Sequence, residues 1–177
     1  YKYEEARQIL ALIASELQCR GLKVIEEVEL KEILEKIKMK HDFSDLKHTD
    51  RFISSLKERP GLFQYHELDN TFYFYHLTFQ EYFSSISFDD SNENILLDNF
   101  FSEWWENTII FYCGKQPRRE VFIRKVHSEK IPMDLIQSYR YFTLVSKCIQ
   151  ANHLVSKELK KEILRSLIFN FDNFYVQ

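Results

Sequence analysis

A chain of 177 residues with 24 Lys and Arg against 27 Asp and Glu carries a formal net charge of −3, which gives no electrostatic reason to expect nucleic acid as a partner. Its 16 Phe, 10 Tyr and 2 Trp stand against only 3 Gly and 3 Pro, a balance that favours helices joined by short turns. No apolar run reaches the length of a transmembrane helix, and the opening YKYEEARQIL is not a signal peptide, so no membrane partner is expected.

The first helix is predicted from about Tyr3 to Cys19, with Ala6, Ile9, Leu10, Ile13 and Leu17 on one face and Gly21 as its left-handed stop. Leu22 to Ile25 reads as a short strand, and Leu30, Ile33, Leu34 and Ile37 mark a second amphipathic helix. A third is predicted over about Asp45 to Glu58, carrying Leu46, Phe52, Ile53 and Leu56 and ended by Pro60-Gly61. LFQYHEL and TFYFYHL then flank Asp69-Asn70, two residues that tolerate tight-turn conformations, so a hairpin follows. Three helices followed by a two-stranded wing is the order of a winged helix-turn-helix.

Polar DDSNEN, Asp89 to Asn94, reads as a linker and places the boundary there: a winged-helix domain over 1–90 and a helical domain over 91–177. Beyond it the pattern is helical over Ile95 to Phe101, Trp104 to Cys113 up to Gly114, Arg119 to Val126, Met133 to Ala151 and Ser156 to Phe169. Short breaks fall at Pro117, Pro132 and Asn152-His153. Such helix–turn–helix units stack into a bundle or a short solenoid, although no sequence repeat is evident. The expected fold is therefore mainly α, with a small β-hairpin wing.

The stretch that organises these elements is FYFYHLTFQEYFSS, Phe72 to Ser85. Phe72, Tyr73, Phe74 and Tyr75 are an aromatic run suited to a buried strand. Thr78-x-x-Glu81 has the spacing of a capping box, with Leu77 placed to staple onto Tyr82. Phe79, Tyr82, Phe83 and Ile86 give the helix one apolar face, and His76 is left at the strand–helix joint beside free amides. HLTFQEYF after an aromatic strand resembles the end of the winged-helix domain in NACHT-type signal-transduction ATPases, which include the NLR immune receptors and bacterial relatives. Trp105, Phe111 and Gly114 in WENTIIFYCG are similar to the W-x5-F-x2-G helix that follows it in many such proteins. The resemblance covers roughly residues 1 to 115, and the first motif is the more specific.

In that family the histidine just before the motif contacts the β-phosphate of ADP in the resting state, so the resemblance implies this role for His76. It also implies an upstream NACHT ATPase domain in the same chain and ADP or ATP-Mg as the nucleotide of that parent protein. A further implication is homo-oligomerisation on activation, with an unknown sensed ligand and, in bacterial relatives, anti-phage defence. An opening Tyr1 in place of Met reads as the interior of a longer protein. Without the family, an imidazole at a strand end more often donates to a backbone carbonyl. No G-x-x-x-x-G-K-[ST] occurs and no acidic strand-end pair follows, so this stretch is expected not to be an enzyme and to bind no nucleotide alone.

The alternative is a free-standing winged-helix regulator binding DNA, through Lys47, His48, Arg51, Lys57 and Arg59 on the third helix. Asp45, Asp50 and Glu58 interrupt that set and the wing tip HELDNT has no Lys or Arg, so a solvated mixed-charge face is expected. A third option is a purely structural interaction module. Two basic clusters, Arg118, Arg119, Arg124 and Lys125, then Lys157, Lys160, Lys161 and Arg165, are interleaved with glutamates and expected to face solvent. Cys19, Cys113 and Cys148 are read as buried reduced thiols of a cytoplasmic protein, and His66 with His76 on facing strands lacks partners for a metal set. Trp104 and Trp105 are assigned to core packing or a domain interface.

Overall fold

A computed structural model describes residues 3–58, 61–115, 120–130, 132, 134–152 and 154–175. Arg59, Pro60, Pro117, Arg118, Arg119, Met133 and His153 of the sequence reading lie outside the described residues. The chain divides into two compact units, Tyr1–Asp89 and Asp90–Gln177.

In the first unit, helix α1 spans Tyr3–Arg20 and buries Ile9, Ala11, Ile13, Ala14 and Leu17. Its end is set by backbone geometry. Gly21 has φ of 68°, its amide donates to the Gln18 carbonyl at 3.2 Å, and the Leu22 amide donates to the Leu17 carbonyl at 2.9 Å. That pair of bonds is a Schellman stop, in which a residue other than Gly would strain the left-handed position. Strand β1 (Val24–Glu26) leads into α2 (Glu27–Lys40), which buries Leu30, Ile33, Leu34 and Ile37 as its spacing predicts. The third helix begins later than expected: Ser44–His48 is a 3-10 turn, and only Thr49–Glu58 is the α-helix, α3.

Strands β2 (Phe63–His66) and β3 (Thr71–Phe74) form the hairpin, joined by Glu67 to Asn70. Asn70 takes φ of 50° and its side chain accepts from the Tyr65 hydroxyl at 2.7 Å, which fixes the turn at the position its residue type allows. The sheet has a third strand that the hairpin pattern does not contain. β1 pairs antiparallel with β3, Ile25 opposite Phe72, so the order is β1-β3-β2. Only alternate residues of the aromatic run are buried: Phe72 and Phe74 face the core, whereas Tyr75 is exposed. Phe63 stacks on Phe72 at 5.6 Å between ring centroids, and Phe74 on Phe83 at 5.9 Å, which ties the sheet to α4 (Leu77–Ser87).

The second unit is helical: α5 (Asn94–Asp98), a 3-10 turn Glu103–Trp105, α6 (Glu106–Gly114), α7 (Glu120–Glu129), α8 (Leu135–Ala151) and α9 (Lys157–Tyr175). Glu93, expected in a linker, is instead buried just before α5, where it accepts from the Tyr112 hydroxyl at 3.0 Å and pairs with Lys125 at 3.4 Å. Trp105 is buried beside α6, and Gly114 lies against Ala151 of α8, where an added Cβ would make ordinary contact at 3.4 Å. Asp134 caps α8 by accepting from the Gln137 amide at 2.7 Å.

The start of α9 is held by a carboxylate from α7. Glu120 accepts from the Ser156 amide and from its hydroxyl, each at 2.7 Å, while the Ser156 hydroxyl oxygen accepts from the Leu159 amide at 3.2 Å. Burial alone would raise the Glu120 carboxyl, but the two Ser156 bonds and the Arg124 guanidinium at 2.7 Å outweigh it and hold the group below its usual value of 4.5. A depressed carboxyl contributes stability that is complete above the unfolded value and lost as pH falls through the folded one. Trp104 and Trp105 both belong to this unit, so tryptophan fluorescence follows its unfolding alone. Resistance to denaturant should weaken as pH falls below about 4.5, and Glu120→Gln should flatten that dependence while costing about 1–3 kcal/mol at neutral pH. An unchanged acid slope would show that Glu120 does not carry it.

Candidate nucleotide-sensing site

The site is built where β3 hands over to α4. The Tyr75 amide donates to the Leu62 carbonyl at 2.8 Å, which continues the hairpin ladder up to the joint. The next residue, His76, has extended backbone (φ −138°, ψ 142°), and α4 begins immediately after it at Leu77. His76 is thus the N-cap. Its Nδ1 accepts from the Thr78 amide at 3.1 Å, and its carbonyl accepts from the Phe79 amide at 2.9 Å.

This arrangement replaces the capping box expected at Thr78. Thr78 stands inside the helix, and its amide is taken by the imidazole. Leu77 is likewise inside the helix, not ahead of its cap, and Tyr82 points outward, 38% exposed. The chemical consequence lies in the other ring nitrogen. An Nδ1 that accepts carries no proton, so the neutral ring holds its proton on Nε2 and presents an N–H donor on an exposed side chain. A donor at the positive end of a helix is suited to an anion, and here the helix supplies no more than its first turn.

What orients α4 is a buried amide pair. The Gln80 side-chain nitrogen donates to the Gln18 side-chain oxygen at 3.2 Å and to the Leu22 backbone carbonyl at 3.0 Å. Both glutamines are fully enclosed, and Leu22 is the residue released by the Schellman stop of α1. Gln80 therefore locks the first turn of α4 to the end of α1. Sequence reasoning passed it over. The available signal was a glutamine three residues from both Leu77 and Phe83 on one helix face, since an enclosed amide must find partners.

The remaining candidates separate. His66 lies at the turn end of the hairpin, opposite Thr71 and 3.0 Å from the Asp69 carboxylate, and is not brought to His76. Among the described residues no group of three or more His, Cys, Asp or Glu is gathered for a metal. Lys57 pairs with Glu27 at 2.7 Å and lies 4.5 Å over the Tyr65 ring, so it serves the junction of α2, α3 and β2. His48 and Arg51 share a groove with Asp45 and Glu58, a face of mixed sign. Arg124 is engaged by Glu120 and Glu162, and Lys125 by Glu93 and Asn94. Lys157, Lys160, Lys161 and Arg165 are exposed. Cys113 and Cys148 are buried, but Cys19 is exposed, because it falls off the Ile9–Ile13–Leu17 stripe of α1.

Helices α2 and α3, a β1-β3-β2 sheet and the closing α4 define a winged helix-turn-helix, not a catalytic NTPase domain. Residues 2–88 match the family described as winged helix-turn-helix domain C-terminal to NACHT, so the first unit is a domain of that family. No curated protein and no solved structure matches the chain. Among the described residues, no helix is long and apolar enough to cross a membrane.

Replacing Gln80 by Leu removes the donor from an enclosed carbonyl and should destabilise the first unit by about 1–3 kcal/mol. Amide hydrogen exchange across Leu77–Ser87 should rise, and the Gln18→Leu/Gln80→Leu pair should cost less than the two single changes together. Full additivity would mean the two amides do not act as a unit.

Proposed function

We propose that this chain is a regulatory region of a NACHT-type signalling ATPase, in which the winged helix closes the ATPase domain around ADP and His76 contacts the β-phosphate. The supporting observation is the outward Nε2–H that the cap geometry leaves at the N-terminus of α4. Family membership implies the upstream NACHT domain that would supply the phosphate cradle, which three glycines in this chain could not build. The nucleotide would thus be held from two sides, and release of the winged helix would open it.

A hydrogen bond to a charged acceptor contributes about 1.5–3 kcal/mol. Made only in the closed state, it biases a two-state switch roughly ten- to a hundred-fold. Under this reading the parent protein oligomerises once the closed state is released, and the second unit links the switch to a sensor of an unidentified ligand. Roles in cytoplasmic innate immunity, including anti-phage defence, follow from the same proposal.

The cap separates two roles of His76 that one substitution would confuse. Asn can cap α4 but ends short of the Nε2 position, whereas Ala can do neither. In the NACHT-containing protein, His76→Asn should raise ADP dissociation about ten- to a hundred-fold and increase basal oligomer, measured by nucleotide release and size-exclusion chromatography. In the isolated chain His76→Ala should cost about 0.5–2 kcal/mol and His76→Asn much less. ADP retention unchanged by His76→Asn would reduce the histidine to a cap and sink the switch role.

The DNA-binding alternative predicts a band shift on duplex DNA at physiological salt that survives competitor. The mixed-sign face of α3 predicts none.

A further inference from the structure

We propose that the cavity enclosed by α7, α8 and α9 binds a small flat anion, an aromatic ring system carrying a carboxylate or a phosphate. It is independent of the His76 site and lies wholly within the second unit. The cavity measures about 410 Å³, inside the range of roughly 300–1,000 Å³ typical of small-molecule sites.

Its walls are flat and apolar. Phe142 and Pro132 are buried, and Phe169 stands at the lining 66% exposed, an aromatic face that a ligand ring would cover. Its polar groups are ordered by one histidine. His127 Nδ1 lies 2.6 Å from the Tyr141 hydroxyl, and its Nε2 lies 3.2 Å from the Ser166 hydroxyl.

The proton directions follow from satisfaction. Tyr141 is 2% exposed, and among the described residues its hydroxyl has His127 as its hydrogen-bond partner. Burial, with the Glu162 charge adding to it, pushes the phenol above its usual range and keeps it protonated. A buried O–H must donate, so Tyr141 donates to Nδ1 and the ring proton sits on Nε2. That proton goes to the Ser166 oxygen, which leaves the Ser166 hydroxyl proton free to donate to a ligand.

The charge at the lining is positive. Arg165 makes no ion pair among the described residues, while Glu162, one turn earlier, is held by Arg124 at 3.2 Å. A guanidinium fork beside a free hydroxyl donor matches carboxylate or phosphate oxygens, and two aromatic walls match a flat body. A cation would meet Arg165, and among the described residues no carboxylate lines the cavity; Glu162, 4.0 Å from His127 Nε2, stands outside the lining and is engaged by Arg124.

The test uses the whole 177-residue chain with isotope-labelled histidine, titrated with 1-naphthoate and with AMP. Resonances of His127, assigned by His127→Asn, should shift saturably with at least one of the two. Naphthoate alone would select carboxylate as the bound group, and AMP alone phosphate. Arg165→Ala, a change at an exposed position, should weaken that binding about ten- to a hundred-fold, and uncharged 1-naphthamide should bind correspondingly more weakly. Phe169→Ala should weaken it several-fold. No shift with either anion at millimolar concentration would overturn the proposal, as would binding indifferent to Arg165→Ala or equally tight for 1-naphthamide.

Discussion

The geometry of the candidate site depends on one enclosed hydrogen-bonded amide, that of Gln80. Its nitrogen faces Gln18 and the Leu22 carbonyl, with both glutamine side chains buried, where an unmet polar group costs more than a met one gains. Sliding or rotating α4 against α1 would break both bonds together. Small buried residues on both helices, Ala11 and Ala14 on α1 and Ser84 and Ser85 on α4, let the backbones approach closely enough for a side chain of that length to reach. The lock is therefore directional, which stacking of apolar faces alone would not make it.

Everything at the joint follows from that placement. With α4 fixed at one end by Gln80 and β3 fixed by pairing to β1 and β2, two residues, Tyr75 and His76, are left to turn the chain from extended to helical. His76 makes the turn with backbone and side chain at once. The Thr78 amide takes Nδ1, so the imidazole cannot rotate freely, and the proton is left on the nitrogen facing away. A donor held in this way loses less freedom on meeting an anion than one on an unrestrained side chain. The second unit uses a similar device twice, with Glu120 ordering the start of α9 and His127 ordering Ser166.

Much of this was legible in the residues. Helical spacing placed α1 and α2 within a few residues, Gly21 marked its stop, and the turn signal at Asp69-Asn70 found the hairpin. HLTFQEYF pointed to the family that the match to residues 2–88 establishes. What failed is what depends on distance or on unusual chemistry. The pairing of β1 with β3 joins residues more than forty positions apart, and the Gln18–Gln80 contact spans 62. No local pattern encodes either. The cap was misplaced because Thr-x-x-Glu is a strong signal and histidine is an uncommon N-cap, although an accepting Nδ1 can do the same work. Glu93 reads as linker because its neighbours are polar, and its burial against Tyr112 and Lys125 is a tertiary fact.

The central claim is that His76 caps α4 through Nδ1 and so presents Nε2–H outward. Long-range proton–nitrogen correlation spectra of the neutral imidazole report which nitrogen carries the proton. For His76 in the intact chain the account predicts the Nε2-protonated tautomer, with Nδ1 shifted as an acceptor and that shift lost when Gln80→Leu frees the helix. A His76 ring protonated on Nδ1, or one exchanging evenly between tautomers, would contradict it.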